Sequence, residues 1–242
     1  MSKKVNILGA RIDKFTMDEA KNVAMSFFES EGRKVIYTPN SEIILYASRN
    51  SEYMDKLNSA DLMIADGIGV VYGARILNDK LPERVAGYDL LRSILPLMAQ
   101  KGLSLYLLGA KPTVAEIAGE NLKKEYPGIV IKGCHDGYFK DDEEVIKDIN
   151  EKKPDLLLVC LGFPKQENWI YDNREKLDVK AMIGAGGCLD VFAGIVERAP
   201  EFYCKHGLEW FYRLKKEPWR FKRMTALPVF ILKVMFKGWK YR

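Results

Sequence analysis

The feature that most constrains this chain is a series of short runs rich in Val, Ile and Leu, each closed by glycine or a small polar residue. Val35-Ile36-Tyr37-Thr38, Leu62-Met63-Ile64-Ala65, Leu103–Leu108, Leu156–Leu161 and Ala181-Met182-Ile183 are the clearest, with Val5–Leu8 and Ile129-Val130-Ile131 shorter. They show no polar alternation, so they suit strands covered on both faces. Helical patterns separate them. Thr16-Met17-Asp18-Glu19 has the capping-box spacing and opens a helix to about Glu29. A helix starts near Ser41, Thr113-Val114-Ala115-Glu116 is a second capping box, and Asp141 to Lys152 reads as a helix. Strand–helix alternation of this kind implies right-handed crossovers and an α/β fold with a doubly wound, mostly parallel sheet.

Hydrophobic residues make up 48% and charged residues 29% of the 242, so a packed core is expected rather than disorder. Cys134, Cys160, Cys188 and Cys204 are widely spaced, and His135 and His206 are the two histidines. That argues against a structural zinc site and a disulfide framework, and a reducing cytosol fits best. The N-terminus is basic, but its apolar run is too short for a signal peptide. No apolar stretch reaches the ~20 residues of a membrane-spanning helix. The longest, Leu227 to Phe236, is interrupted by Lys233. The net charge of +5 is uneven: residues 198–242 hold twelve Lys/Arg against three Asp/Glu, a net +9, which leaves −4 for residues 1–197. The basic character therefore concerns the partner of the tail.

In open parallel sheets ligands bind beyond the carboxyl ends of the strands. Those ends read Thr38-Pro39-Asn40, Asp66-Gly67, Gly109-Ala110-Lys111, Gly162-Phe163-Pro164-Lys165-Gln166 and Gly184-Ala185-Gly186-Gly187. Asp66 is placed to act as a general base on a hydroxyl, or to cap the following helix. A dinucleotide loop fits poorly, because Asp66 would repel a pyrophosphate and no strand-ending acid follows about 20 residues on. Arg84, in a loop before a helix, suits a diphosphate through its planar fork; it also reads as a surface arginine. Gln166 could bond a sugar and Lys165 approach phosphate, or both could be solvated turn residues. The glycines around Gly186 allow close approach of a ligand, and Asp190 could accept from ribose or base, or simply stabilise its helix. No DxD motif occurs. A sugar transferase built on this chain is expected to be metal-independent, with cationic side chains stabilising the departing diphosphate.

In the tail, Trp210, Phe211, Trp219, Phe221 and Trp239 interleave with Arg213, Arg220, Arg223 and several lysines. Trp and Tyr favour the headgroup region, and each Lys or Arg adds ~1 kcal/mol of attraction to anionic lipid. Single-stranded nucleic acid would leave Leu227–Phe236 nothing to bury against, so an anionic membrane surface is the expected partner and nucleic acid is not. A plain helical cap on the core is the structural alternative. Pro218 and Pro228 are expected to break the segment into short helices.

The set Thr38-Pro39-Asn40, Ala65-Asp66-Gly67, Glu83-Arg84-Val85-Ala86-Gly87, Gly162-Phe163-Pro164-Lys165-Gln166-Glu167 and Gly184-Ala185-Gly186-Gly187 resembles the WecG/TagA/CpsF glycosyltransferase family. So does the tail pattern Glu209-Trp210-Phe211-Tyr212-Arg213 with Pro218-Trp219-Arg220-Phe221-Lys222-Arg223. The resemblance runs over essentially the whole chain. It implies a Rossmann-like core, residues 1–195, and a basic aromatic appendage, residues 196–242, that completes the active site at the membrane. It implies UDP-N-acetylmannosamine as donor and N-acetylglucosamine on undecaprenyl diphosphate as acceptor, in wall teichoic acid linkage-unit synthesis at the inner face of the plasma membrane. By resemblance the base is Asp66, with Thr38, Arg84 and Gln166 as further catalytic residues. Asn40, Lys165, Gly186, Arg213, Arg220 and Arg223 are expected at the substrates, and uracil and ribose contacts fall on Tyr138 and Asp190. Exposed apolar surface implies oligomers of the free protein. A relative using another UDP-sugar for capsule or common-antigen polysaccharide, a non-catalytic lipid-surface or nucleic-acid module, and a nucleotide-dependent oxidoreductase are the rival readings.

Overall fold

The computed structural model describes residues 3–216, 218 and 221–241, so Trp219 and Arg220 lie outside the described residues. The chain opens with a two-stranded antiparallel hairpin, β1 (Lys4–Ile7) and β2 (Ala10–Asp13), in a sheet of its own. The run Val5–Leu8 is thus a strand, but not of the parallel sheet. Leu8 and Gly9 both have positive φ, 54° and 103°, and Asn6 Oδ1 accepts the Gly9 N–H at 2.9 Å. This tight turn matches the right-handed twist of the strands it joins. Asp13 then ties the hairpin to the sheet by accepting from the Met63 N–H at 2.9 Å.

Helix α1 (Met17–Ser26) starts at Thr16 with the full capping box. The main sheet has six strands, all parallel: β3 (Lys34–Tyr37), β4 (Leu62–Met63), β5 (Ser104–Gly109), β6 (Val130–His135), β7 (Leu156–Cys160) and β8 (Ala181–Gly184), in the order β4-β3-β8-β7-β5-β6. The central strands feed two cores alternately. Val35, Tyr37, Tyr106, Leu108, Leu157, Val159 and Met182 belong to one, and Ile36, Leu105, Leu107, Leu156, Leu158 and Ile183 to the other. That period of two explains the unbroken apolar runs: each face of the sheet is a core.

The helices after β3 and β8 take opposite faces. Those after β3, α2 (Ser41–Ala47) and α3 (Ser51–Asn58), pack in the first core with Ile44 and Leu57. The helix after β8, α9 (Cys188–Phe192), packs in the second with Leu189 and Phe192. Neighbouring parallel strands whose helices diverge leave a crevice at their carboxyl ends. Helix α4 (Ile68–Ile76) follows β4, α5 (Gly87–Gln100) precedes β5, α6 (Val114–Glu125) precedes β6, α7 (Asp142–Lys152) precedes β7 and α8 (Lys165–Asn173) follows β7. Thr113 does not make the expected capping box: it sits at φ 73° and its side chain caps nothing, so sequence spacing alone misleads there.

After β8 come only helices among the described residues: α10 (Glu201–Lys205), α11 (Glu209–Lys216), α12 (Phe221–Met224) and α13 (Ala226–Lys237). Pro218 separates α11 from α12, as expected. Pro228 breaks nothing. It lies in the first turn of α13, where a missing N–H costs no helical bond. Helix α13 packs against α2 and α4 and buries Phe230 and Val234 fully in the first core. Burying a Phe contributes ~3 kcal/mol or more, whereas the half-exposed Arg223–Glu42 pair contributes ~1 kcal/mol at most. Apolar packing therefore holds α13 in place. No helix among the described residues is long and apolar enough to cross a membrane.

Candidate active site

The carboxyl ends of β3, β4, β7 and β8 open into one cleft of about 510 Å³, roofed by α11, α12 and the start of α13. One wall is rigid by construction. Thr38, just past β3, donates its hydroxyl to the Gly184 carbonyl at 3.0 Å. Gln166, fully buried in the first turn of α8, accepts the Gly186 N–H on Oε1 at 2.8 Å and donates from Nε2 to Glu167 at 3.0 Å. A side chain at Gly184 would meet Gln166 Nε2 at 2.6 Å, and one at Gly87 would meet Thr38 at 2.9 Å. These two glycines let Gln166 lie against the end of β8 and Thr38 against the start of α5.

Across the cleft stands Asp66. It is not a helix cap: Gly67, at φ 127°, occupies the cap position of α4, and the carboxylate bonds no backbone N–H there. Burial pushes the Asp66 carboxyl up to about 6; Glu209 adds to the rise, while Arg84 and Arg213 oppose it. A carboxylate with that value is ionised at neutral pH yet basic enough to take a proton. Arg84 and Arg213 line the same cleft, with Arg84 Nη1 and Arg213 Nη2 both donating to Glu209, at 3.3 and 2.6 Å. Asp89 faces Arg84 at 3.6 Å and pairs with Arg198, whose guanidinium lies 4.6 Å over the Tyr88 ring. The site therefore joins a carboxylate of raised pKa to a cluster of guanidiniums, a combination suited to taking a proton from a hydroxyl while stabilising a departing anion.

The profile of the glycosyl transferase WecG/TagA/CpsF family matches residues 5–242. The chain belongs to that family. Among its relatives is the N-acetylglucosaminyldiphosphoundecaprenol N-acetyl-beta-D-mannosaminyltransferase of Bacillus subtilis (strain 168), 41% identical over 201 residues, 83% of this chain and 78% of the relative. The protein of the same name from Bacillus spizizenii is 40% identical over 200 residues, with the same coverage. The one from Staphylococcus aureus (strain MRSA252) is 37% identical over 234 residues, 96% of this chain and 92% of the relative.

For this WecG/TagA/CpsF member the cleft gathers Thr38, Asn40, Asp66, Arg84, Gln166, Gly186, Asp190, Arg213 and Arg223. Two of these also have structural duties. Asn40 Oδ1 caps α2, accepting from the N–H groups of Glu42 and Ile43. Arg223 forks onto Glu42, with Nη2 to Oε2 at 2.9 Å. Tyr138 and Lys165 are not brought in. Tyr138 is 67% exposed away from the lining, and Lys165 Nζ donates to the Gly137 carbonyl beside the Phe139 ring. Arg220 falls outside the described residues. Reading the sequence alone misses Glu209, Asp89, Arg198 and Tyr88. For Glu209 a signal existed in the sequence, as one of three acids in a strongly basic tail and four residues before Arg213, the spacing of a helical ion pair. Among the described residues no group of three or more His, Cys, Asp or Glu is placed to hold a metal ion.

Proposed function

We propose that this chain transfers N-acetylmannosamine from UDP-N-acetylmannosamine to the C4 hydroxyl of N-acetylglucosamine on undecaprenyl diphosphate, as in linkage-unit synthesis for wall teichoic acid. The juxtaposition of Asp66 with Arg84 and Arg213 in one cleft carries this reading, and the names of the relatives supply the acceptor class and the sugar. The reaction is a single inverting displacement. Asp66 takes the hydroxyl proton as the acceptor oxygen forms its bond to the anomeric carbon. The bond from that carbon to the diphosphate breaks on the opposite side, and UDP leaves with the electron pair. Arg84 and the tail arginines take up the charge on the diphosphate, so no metal is required. Thr38 and Gln166, held by backbone bonds, orient the sugars.

Residues 196–242 act as the unit that completes this site at an anionic membrane surface. Its support is the outer side of α13, where Val229, Leu232, Met235 and Phe236 are exposed beside Trp239, while Phe230 and Val234 face the core. Basic residues flank that apolar side, which suits the headgroup boundary of the inner leaflet. The same exposed surface favours self-association of the free protein.

The test supplies lipid-linked N-acetylglucosamine diphosphate in vesicles and screens UDP-sugars. The reading expects UDP release and a disaccharide lipid with UDP-N-acetylmannosamine, undiminished by EDTA. Turnover with a different UDP-sugar and none with this one would overturn the donor assignment.

A further inference from the structure

Glu209 is out of place in a cleft that receives a diphosphate. Its side chain is 17% exposed, and its carboxylate faces the arginines such a ligand needs. Oε1 accepts from Arg213, one turn along the same helix, and Oε2 accepts from Arg84, in the loop before α5. Burial pushes the Glu209 carboxyl up, but Arg213, Arg84 and Arg198 outweigh it and hold the group below the usual carboxylate range. It is an anion at neutral pH. Asp89 balances the rest, on Arg84 and Arg198. Three guanidiniums thus meet two carboxylates, and the cationic charge is largely spoken for before any ligand arrives. A helix dipole explains an acid at the first residue of α11. It does not explain why that acid reaches across to Arg84.

We propose that Glu209 is a resident counter-ion: it occupies Arg84 and Arg213 while the cleft is empty, yields them to the donor diphosphate, and retakes them as the nucleoside diphosphate leaves. The inference rests on the cleft being a nucleoside-diphosphate site. Glu209 is a positioning residue, since it acts through the two arginines and not on the reacting atoms. In the empty cleft it keeps two mutually repelling cations together at their working positions. In the product complex it competes with UDP for charge-assisted hydrogen bonds, which speeds release.

Glu209→Gln keeps the shape and removes the charge. Titration of the full chain with UDP by calorimetry is expected to show binding roughly tenfold tighter in the variant, about 1.4 kcal/mol. Steady-state kinetics should show kcat and the donor KM falling together, as slower product release requires. A purely structural Glu209 would instead lose UDP affinity on substitution. Glu209→Ala provides the same charge removal should the glutamine variant fold poorly. UDP bound equally or more weakly by the folded variant, with the wild type binding normally, overturns the counter-ion role alone. A wild-type chain that does not bind UDP overturns the cleft reading and this inference together.

Discussion

Arg84 and Glu209 are 125 residues apart in sequence and 3.3 Å apart in space. The pair fastens the loop before α5 to α11, so part of the cationic side of the cleft comes from a loop of the α/β part of the chain and part from the helices that follow the last strand. Neither part alone presents the whole cluster beside Asp66.

Replacing either arginine should therefore damage the chemistry more than the fold. Arg84→Gln and Arg213→Gln are each expected to lower kcat/KM by roughly 10²–10³, the usual loss for one charge-stabilising donor. The double variant should lose less than the product of the two, because in the proposed mechanism both act on one diphosphate. Steady-state rates with the lipid-linked acceptor check this, and strictly multiplicative losses would separate the two roles.

The pH profile follows from Asp66. With Asp66 as the proposed base, only its ionised form accepts the hydroxyl proton, and burial with Glu209 nearby raises its carboxyl to about 6. Activity should fall as pH drops through about 6, one decade per pH unit in kcat/KM. An acid limb near pH 4 would mean that the working base is an ordinary exposed carboxylate.

The two sides of α13 should separate stability from membrane binding. Phe230→Ala empties a fully buried site and should cost ~3–5 kcal/mol in denaturant unfolding. Replacing Leu232 and Phe236 by Ser should leave the melting temperature within a few degrees and reduce sedimentation with anionic vesicles several-fold. Loss of vesicle binding by the Phe230 variant only would place the membrane contact elsewhere.

Asp66 should also cost stability. Its folded pKa lies above the ordinary carboxylate value, so the folded chain holds that proton more tightly than the unfolded chain. The stabilising contribution is complete below the unfolded value, near 4, and is lost as pH rises through about 6. At pH 7.5 the ionised carboxylate is a burden that Asp66→Asn removes. The variant should be more stable by ~1–2 kcal/mol at pH 7.5, with the gain vanishing near pH 4 in thermal melts.

Much of this was legible in the sequence because it rests on local rules. The buried strands, the capping box at Thr16 and the polar residues ending β3, β4, β7 and β8 follow from periodicity and from where open sheets bind ligands. The hairpin escaped because Arg11-Ile12-Asp13 is too short and mixed to stand out as a strand. Pro228 misled because a helix tolerates proline in its first turn, and sequence alone did not fix where α13 begins. Tyr138 follows β6, an edge strand whose end lies outside the cleft, and Lys165 opens α8 beside the cleft but turns its Nζ to the Gly137 carbonyl. The contacts of Glu209 with Arg84 and of Arg198 with Asp89 depend on tertiary approach from the tail, which no spacing encodes.

The most direct measurement is single-turnover sugar transfer by Asp66→Asn at saturating donor and lipid acceptor. The variant keeps the size of the side chain, and with it the arginine cluster, but has no basic oxygen to receive the proton. Transfer is expected to fall about 10²–10⁴-fold with UDP binding retained. A rate within a few-fold of the wild type would contradict the assignment of Asp66 as the base.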